Sequence, residues 1–206
     1  HSITKNPKNE KILAIIGGGK MDDKLPLLES LSKKVDKLYI AGGNVNGYKK
    51  YEEFLSKIPA DSKILEIGAG MGEHTGFLLK RSNNLCATDI SSNSVEVIKK
   101  KFSSYKSFTA QVADMEQLPF KNNEFDFVCS AGSLSYGNNI KVMNEIYRVL
   151  VNGGSFISVD TLNNNLIFRF NRYVHYLKGR RTKNTLKRMP NIKLLEEYKK
   201  KFGHIE

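Results

Sequence analysis

Glu66, the glycines Gly68, Gly70 and Gly72, and the carboxylates Asp89 and Asp114 are the residues whose types and spacing could do chemistry in this chain. An apolar run around Glu66, Ile64-Leu65-Glu66-Ile67, enters a Gly-x-Gly-x-Gly turn, and a helix-like segment follows from Glu73 to Arg81. Glycine lets a backbone turn sharply and lets a ligand come close to it. Strand, tight turn and helix in that order mark a nucleotide-type ligand at a strand end. Asp89 lies 17 residues beyond Gly72, at the end of the run Cys86-Ala87-Thr88. A carboxylate there can accept two hydrogen bonds from a ribose diol, or it can cap the helix that follows Ser91.

These residues need a sheet to hold them. From Lys63 onward the pattern predicts strands near 63–67, 84–88, 106–112, 124–130 and 153–160, and helices near 73–81, 93–102 and 139–150. Strands alternating with helices argue for an α/β fold with a doubly wound, mostly parallel sheet, whose ligands bind beyond the carboxyl ends of the strands. Upstream, 11–16 reads as a buried strand closed by Gly17-Gly18-Gly19, 23–35 as an amphipathic helix and 38–41 as a second strand. The two strands of such a unit should be parallel. Residues 44–47 form a junction, and a helix over 48–58 is stopped by Pro59. Downstream, the pattern predicts a helix over 165–177, a basic loop over 179–190 and an amphipathic helix over 192–202. The expected organisation is a strand–helix–strand unit at 1–47, a ligand-binding core at 48–164 and a basic helical segment at 165–206.

Composition bounds the function class. A chain of 206 residues, 40% hydrophobic and 26% charged, suits one globular domain with a real core. No apolar run approaches the ~20 residues that span a bilayer, and no charged-then-apolar leader is visible. The chain starts at His1, so its natural start is expected upstream. Cys86 and Cys129 sit in apolar runs with neither disulfide nor metal spacing, which reads as two buried free thiols in a reducing cytoplasm. The histidines lack ligand spacing too, so no metal is expected. The net charge of +12 is uneven: the core carries 13 basic and 13 acidic residues, whereas 165–206 carries 12 and 3. A basic segment beside a site favours anionic partners, or is a solvated lysine-rich surface.

Further elements sharpen the reading. The third strand leads into Ala113-Asp114-Met115-Glu116-Gln117-Leu118-Pro119-Phe120, the fourth opens Phe125-Asp126-Phe127-Val128, and Val149-Leu150-Val151-Asn152-Gly153-Gly154 precedes the fifth. With Glu66 before the glycine turn and Asp89 after the second strand, the run from about Tyr48 to Asp160 resembles a class I S-adenosylmethionine-dependent methyltransferase of Rossmann-like fold. A NAD dehydrogenase is the alternative within this fold. Its turn should read G-x-G-x-x-G, and here the third glycine comes one residue early.

The resemblance implies roles. Gly68, Ala69, Gly70 and Gly72 let the methionine part of the cofactor approach the backbone. Glu66 orients that turn and reaches the amino group through water. Asp89 and Ile90 meet the ribose, and Asp114 and Met115 the adenine. Ser130, Ala131, Gly132 and Ser133 line the reactive sulfonium, with Ser133 also on the acceptor side. The chemistry is an in-line displacement that leaves S-adenosylhomocysteine, and a hydroxyl acceptor must also lose its proton. His74, Tyr136 and His175 are the candidate bases, and Tyr136 also a substrate contact.

Both flanks carry resemblances. Gly17-Gly18-Gly19-Lys20-Met21-Asp22-Asp23-Lys24 with its helix and second strand is similar to a short piece of phosphoglycerate kinase, where such lysines reach nucleotide phosphates. This implies phosphate contacts at Lys20 and Lys24. It covers only about residues 11–45, so the unit is expected to pad the sheet or stand as a small appendage. The segment holding Arg172, Arg180, Arg181 and Lys187-Arg188-Met189-Pro190 resembles the acceptor side of methyltransferases of surface-polysaccharide synthesis, implying arginines that grip a sugar phosphate. Only His204-Ile205-Glu206 follow, so the segment is expected to be truncated or the sheet short at that edge. The expected activity is methyl transfer to a small-molecule or carbohydrate-linked hydroxyl. The alternatives are a nucleic-acid methyltransferase or binder using the basic segment, and a non-catalytic fusion remnant. Acceptor identity and oligomeric state stay open at this level.

Overall fold

The computed structural model of the chain describes residues 12–17, 51–160, 166–179, 182–202 and 204–205, with backbone alone at 12–17, 166–168, 171 and 204–205. The strands are β1 (Ile12–Gly17), β2 (Ile64–Ile67), β3 (Leu85–Asp89), β4 (Phe108–Val112), β5 (Phe125–Ala131), β6 (Leu150–Asp160) and β7 (His204–Ile205). The helices are α1 (Thr75–Leu79), α2 (Ser92–Lys101), α3 (Asn139–Val149), α4 (Leu166–Leu177), α5 (Lys183–Lys187) and α6 (Ile192–Phe202), with a 3-10 turn at Leu134–Tyr136.

The strands form one sheet in the order β4-β3-β2-β5-β6-β1-β7, and every pairing is parallel. The chain runs outward from β2 to β4, then returns to lay β5 along the other side of β2. This reversal leaves a crevice beyond the carboxyl ends of β2 and β5, the place where such sheets take ligands. Register brings the key ends level: Ile67 pairs with Thr88 on one side and with Ser130 on the other.

Both faces of the sheet are covered, which is why its strands read as nearly continuous apolar runs. On one face Ile64, Phe127 and Ile157 pack with Leu78 of α1, Ile98 of α2 and Tyr51 and Phe54 of the segment before β2. On the other, Leu65, Ile67, Val128 and Phe156 pack with Val142 and Ile146 of α3 and with Tyr198 and Phe202 of α6. Local signals start the helices: the Ser91 hydroxyl accepts from Ser94 N–H at 3.3 Å, and the Asn138 side chain accepts from Ile140 and Lys141 N–H.

Two regions differ from the sequence expectation or refine it. The segment 179–190, expected as a loop, contains α5, because Thr182 caps a short turn by accepting Thr185 N–H at 3.2 Å. The strand expected at 11–16 is β1, and it pairs with β6 from Ile12–Ser155 to Gly17–Asp160. This strand therefore pads the main sheet. The helix at 23–35, the strand at 38–41, Lys20 and Lys24 lie outside the described residues. At the far edge His204–Ile205 adds a two-residue strand to β1.

Ile146 is fully buried between α3 and the sheet. Ile146→Ala is expected to cost about 2–5 kcal/mol of stability, read from the urea unfolding midpoint. A loss below about 1 kcal/mol would mean that the α3 face is not packed as described.

Candidate functional site

The turn after β2 is built by backbone constraints. Gly68 has φ +64°, and a Cβ placed on it would lie 2.4 Å from Ser133 Cβ. The turn thus passes against the loop after β5 with no room for a side chain. Gly72 differs in its role. A Cβ there would meet the Phe102 ring at 2.8 Å, so this glycine serves packing against α2. Between them, Gly70 N–H donates to Asp89 Oδ2 at 2.8 Å. Ser91 N–H donates to the other oxygen at 2.9 Å. Asp89 therefore holds the turn and fixes Ser91, the residue that caps α2, and each oxygen keeps acceptor capacity.

A cavity of about 550 Å³ opens beyond these strand ends. Gly68, Gly70, Asp89 and Ile90 line it from β2 and β3. Asp114 and Met115 line it from the loop after β4, and Ala131, Gly132, Ser133 and Tyr136 from the segment after β5. The β4 loop is pinned from both ends. Asp114 Oδ1 accepts Glu116 N–H at 2.8 Å. Leu118 N–H donates to Glu145 at 2.7 Å, and Arg148 donates to the Leu118 and Phe120 carbonyls at 2.9 and 2.7 Å. The Leu118-Pro119-Phe120 stretch is thus an anchoring segment, tied to α3. Opposite, the Ser130 and Ser133 hydroxyls share a 2.7 Å hydrogen bond, and buried Asp160 accepts Leu134 N–H at 3.2 Å.

The other residues singled out by sequence stand differently. Ala69 and Gly72 are buried within the turn, and Ser130 is buried behind Ser133. Glu66, 2% exposed, accepts the Thr75 hydroxyl at 2.6 Å and holds the start of α1 against β2. Burial pushes its carboxyl up to about 7, with the charge of Asp89 adding and the Thr75 hydrogen bond opposing. His74 does not line the cavity. Its ring stands edge-on to Tyr51 at 5.9 Å, and burial lowers its pKa. His175 and Arg172 lie on α4, half-buried and buried, and neither lines the cavity. Tyr136 alone of the three candidate bases does so, 67% exposed. Arg180 and Arg181 lie outside the described residues.

Ser94, Ala113, Glu116, Gly137 and Arg188 also line the cavity, although the sequence pattern assigns none of them an individual role there. Adjacency to Met115 could have flagged Glu116. Arg188 falls in the basic run whose resemblance implies anion-gripping arginines, but its contact with Tyr136, 52 residues away, has no local signal. Among the described residues no cluster of His, Cys, Asp and Glu could hold a metal ion, and no helix is long and apolar enough to cross a membrane.

Comparison with known proteins agrees with this geometry. Residues 65–158 match a family model described as a methyltransferase domain. The chain is 35% identical over 133 residues to the uncharacterized protein MJ1252 of Methanocaldococcus jannaschii, covering 63% of this chain and 48% of that one. It is 26% identical over 162 residues to demethylmenaquinone methyltransferase of Staphylococcus aureus, covering 74% and 66%. A solved Bacillus halodurans structure, assigned as a methyltransferase, superposes with a TM-score of 0.62 at 18% identity, covering 74% of this chain and 66% of that one. The chain thus spans about half to two thirds of the length of these curated relatives. The core has the Rossmann-like class I methyltransferase fold, and the cofactor of this fold is S-adenosylmethionine.

The shifted carboxyl of Glu66 has a consequence for stability. Between about pH 4.5 and 7 the folded chain holds a proton that the unfolded chain has released, so stability falls as pH rises through that window. The full effect is of order 3 kcal/mol. Urea midpoints taken at the two ends of the window should show Glu66→Gln losing this fall; an unaltered pH profile would refute the shift.

Proposed function

We propose that this chain is an S-adenosylmethionine-dependent methyltransferase acting on a small-molecule acceptor, with a hydroxyl of a carbohydrate-linked compound as the narrower reading. One observation carries the proposal. The glycine turn and the carboxylates Asp89 and Asp114, separated in sequence, converge on one cavity, and Tyr136 stands at its other wall. A volume of about 550 Å³ suits a nucleoside-sized ligand with room beside it. The acidic lining complements a donor that is cationic at sulfur.

The bound cofactor would supply a methyl group already activated on a sulfonium, so the protein's work is alignment and exclusion of water. Asp89 would accept the ribose hydroxyls while its bond to Gly70 N–H keeps the turn in place. Asp114 and Met115 would flank the adenine. The backbone of the turn, open at Gly70, would take the methionine part. Ser133 and Tyr136 would border the methyl group and the acceptor, and Tyr136, which lines the cavity, would be the candidate base for a hydroxyl acceptor. Glu66 would act through the turn it braces. Cys86 and Cys129 are both free, which supports work in a reducing compartment such as the cytoplasm.

Calorimetry with S-adenosylmethionine and S-adenosylhomocysteine tests the reading, and absence of binding overturns it in favour of a non-catalytic remnant. Asp89→Ala is expected to weaken binding by about 1–3 kcal/mol, the scale of losing charged hydrogen bonds. An unchanged affinity would remove the ribose assignment.

A further inference from the structure

Arg188 enters the cavity from the C-terminal segment, and nothing in the core motif accounts for it. Among the described residues it is the one cationic side chain in a lining that carries three carboxylates, Asp89, Asp114 and Glu116. It is held at both ends. Asn139 Nδ2 donates to the Arg188 carbonyl at 2.5 Å, and Arg188 Nη1 donates to the Tyr136 carbonyl at 3.0 Å. Its Nε–H and Nη2 donors make no hydrogen bond to any described residue. The facing carboxylate, Glu116, is 3.8 Å away, beyond hydrogen-bond reach.

Glu116 does not depend on this contact. It accepts Asn138 N–H at 2.7 Å and pairs with Lys141 at 3.4 Å. Arg188 is the most distant of its three partners. The free edge of the guanidinium can therefore turn to a ligand while Glu116 stays satisfied. A planar fork of N–H donors suits a carboxylate or phosphate, which it can grip at two points.

We propose that Arg188 recognises an oxyanion, a carboxylate or phosphate group, carried by the methyl acceptor and held beside Tyr136. This rests on the methyl-transfer reading above and narrows its substrate class. The charges of the cavity sort the two ligands. Asp89 and Asp114 favour the cationic donor and repel an anion, whereas Arg188 is the one cation that the described lining residues offer an anion.

The test uses the full chain saturated with S-adenosylhomocysteine and titrated with inorganic phosphate and, separately, with acetate, followed by NMR. Saturable binding of at least one anion is expected. A response to phosphate alone assigns a phosphorylated acceptor, and a response to acetate alone a carboxylate. Arg188→Gln should weaken binding about tenfold, the scale of a lost charge-assisted pair. Arg188→Lys should recover only part of it, since it restores charge but not the fork. Lys187→Gln, at the exposed last residue of α5 next to Arg188, should stay within about twofold of wild type. The proposal is overturned if neither anion binds, if Arg188→Gln binds as wild type, if Arg188→Lys fully restores binding, or if Lys187→Gln loses as much. Loss of S-adenosylhomocysteine binding in Arg188→Gln would mark a folding defect, and Arg188→Lys then carries the comparison. A wild type that does not bind S-adenosylhomocysteine overturns the methyl-transfer reading itself, whatever the anions do.

Discussion

The hydrogen bond from Gly70 N–H to Asp89 is the interaction on which the rest of the site depends. It ties the turn after β2 to the end of β3, so the two elements that build one wall of the cavity are held together. The turn can accept the tie because Gly68 and Gly70 adopt positive φ and because the loop after β5 lies within side-chain distance of Gly68. A bulkier residue at 68 would push against Ser133, and a shorter side chain at 89 would leave a part-buried N–H without its acceptor. The same pair of strands buries Glu66 under the turn, where Thr75 satisfies it.

Around this tie the protein uses polar contacts to fix loops and apolar contacts to fix elements. The sheet and helices are held by two packed layers, with Ile64 and Leu65 pointing to opposite clusters. The loops have no such burial available. The β4 loop is instead bound by Glu145 and Arg148 of α3, and the 3-10 turn by Asp160 and Arg188. Glu145 is held below the usual carboxylate range chiefly by its bond to Arg148, so this tie stays charged at neutral pH. The residues that line the cavity thus stand on loops that a rigid frame positions, a common division of labour in α/β sheets.

Much of this is legible in the sequence. Strand, turn and helix around Gly68, and carboxylates closing the next two strands, are local patterns, and the structure brings Asp89 and Asp114 to one cavity. His74 shows the limit of that reading. Its place just past the turn suggests access to the ligand, but the chain rotates about 100° per residue once it becomes helical, and the ring turns to Tyr51 instead. The segment 179–190 reads as loop because five helical residues are too few to show periodicity.

By itself the sequence determined the sheet class, the glycine turn and the acids at the strand ends, because these depend on neighbours within a few residues and on the alternation of strands with helices. Only the tertiary structure decided that β1 lies beside β6, that Glu66 is sealed under Thr75, and that Arg188 reaches Tyr136. Those contacts join residues from different elements of the chain. Such a contact is set by how whole elements pack, and no local pattern of residue types records it.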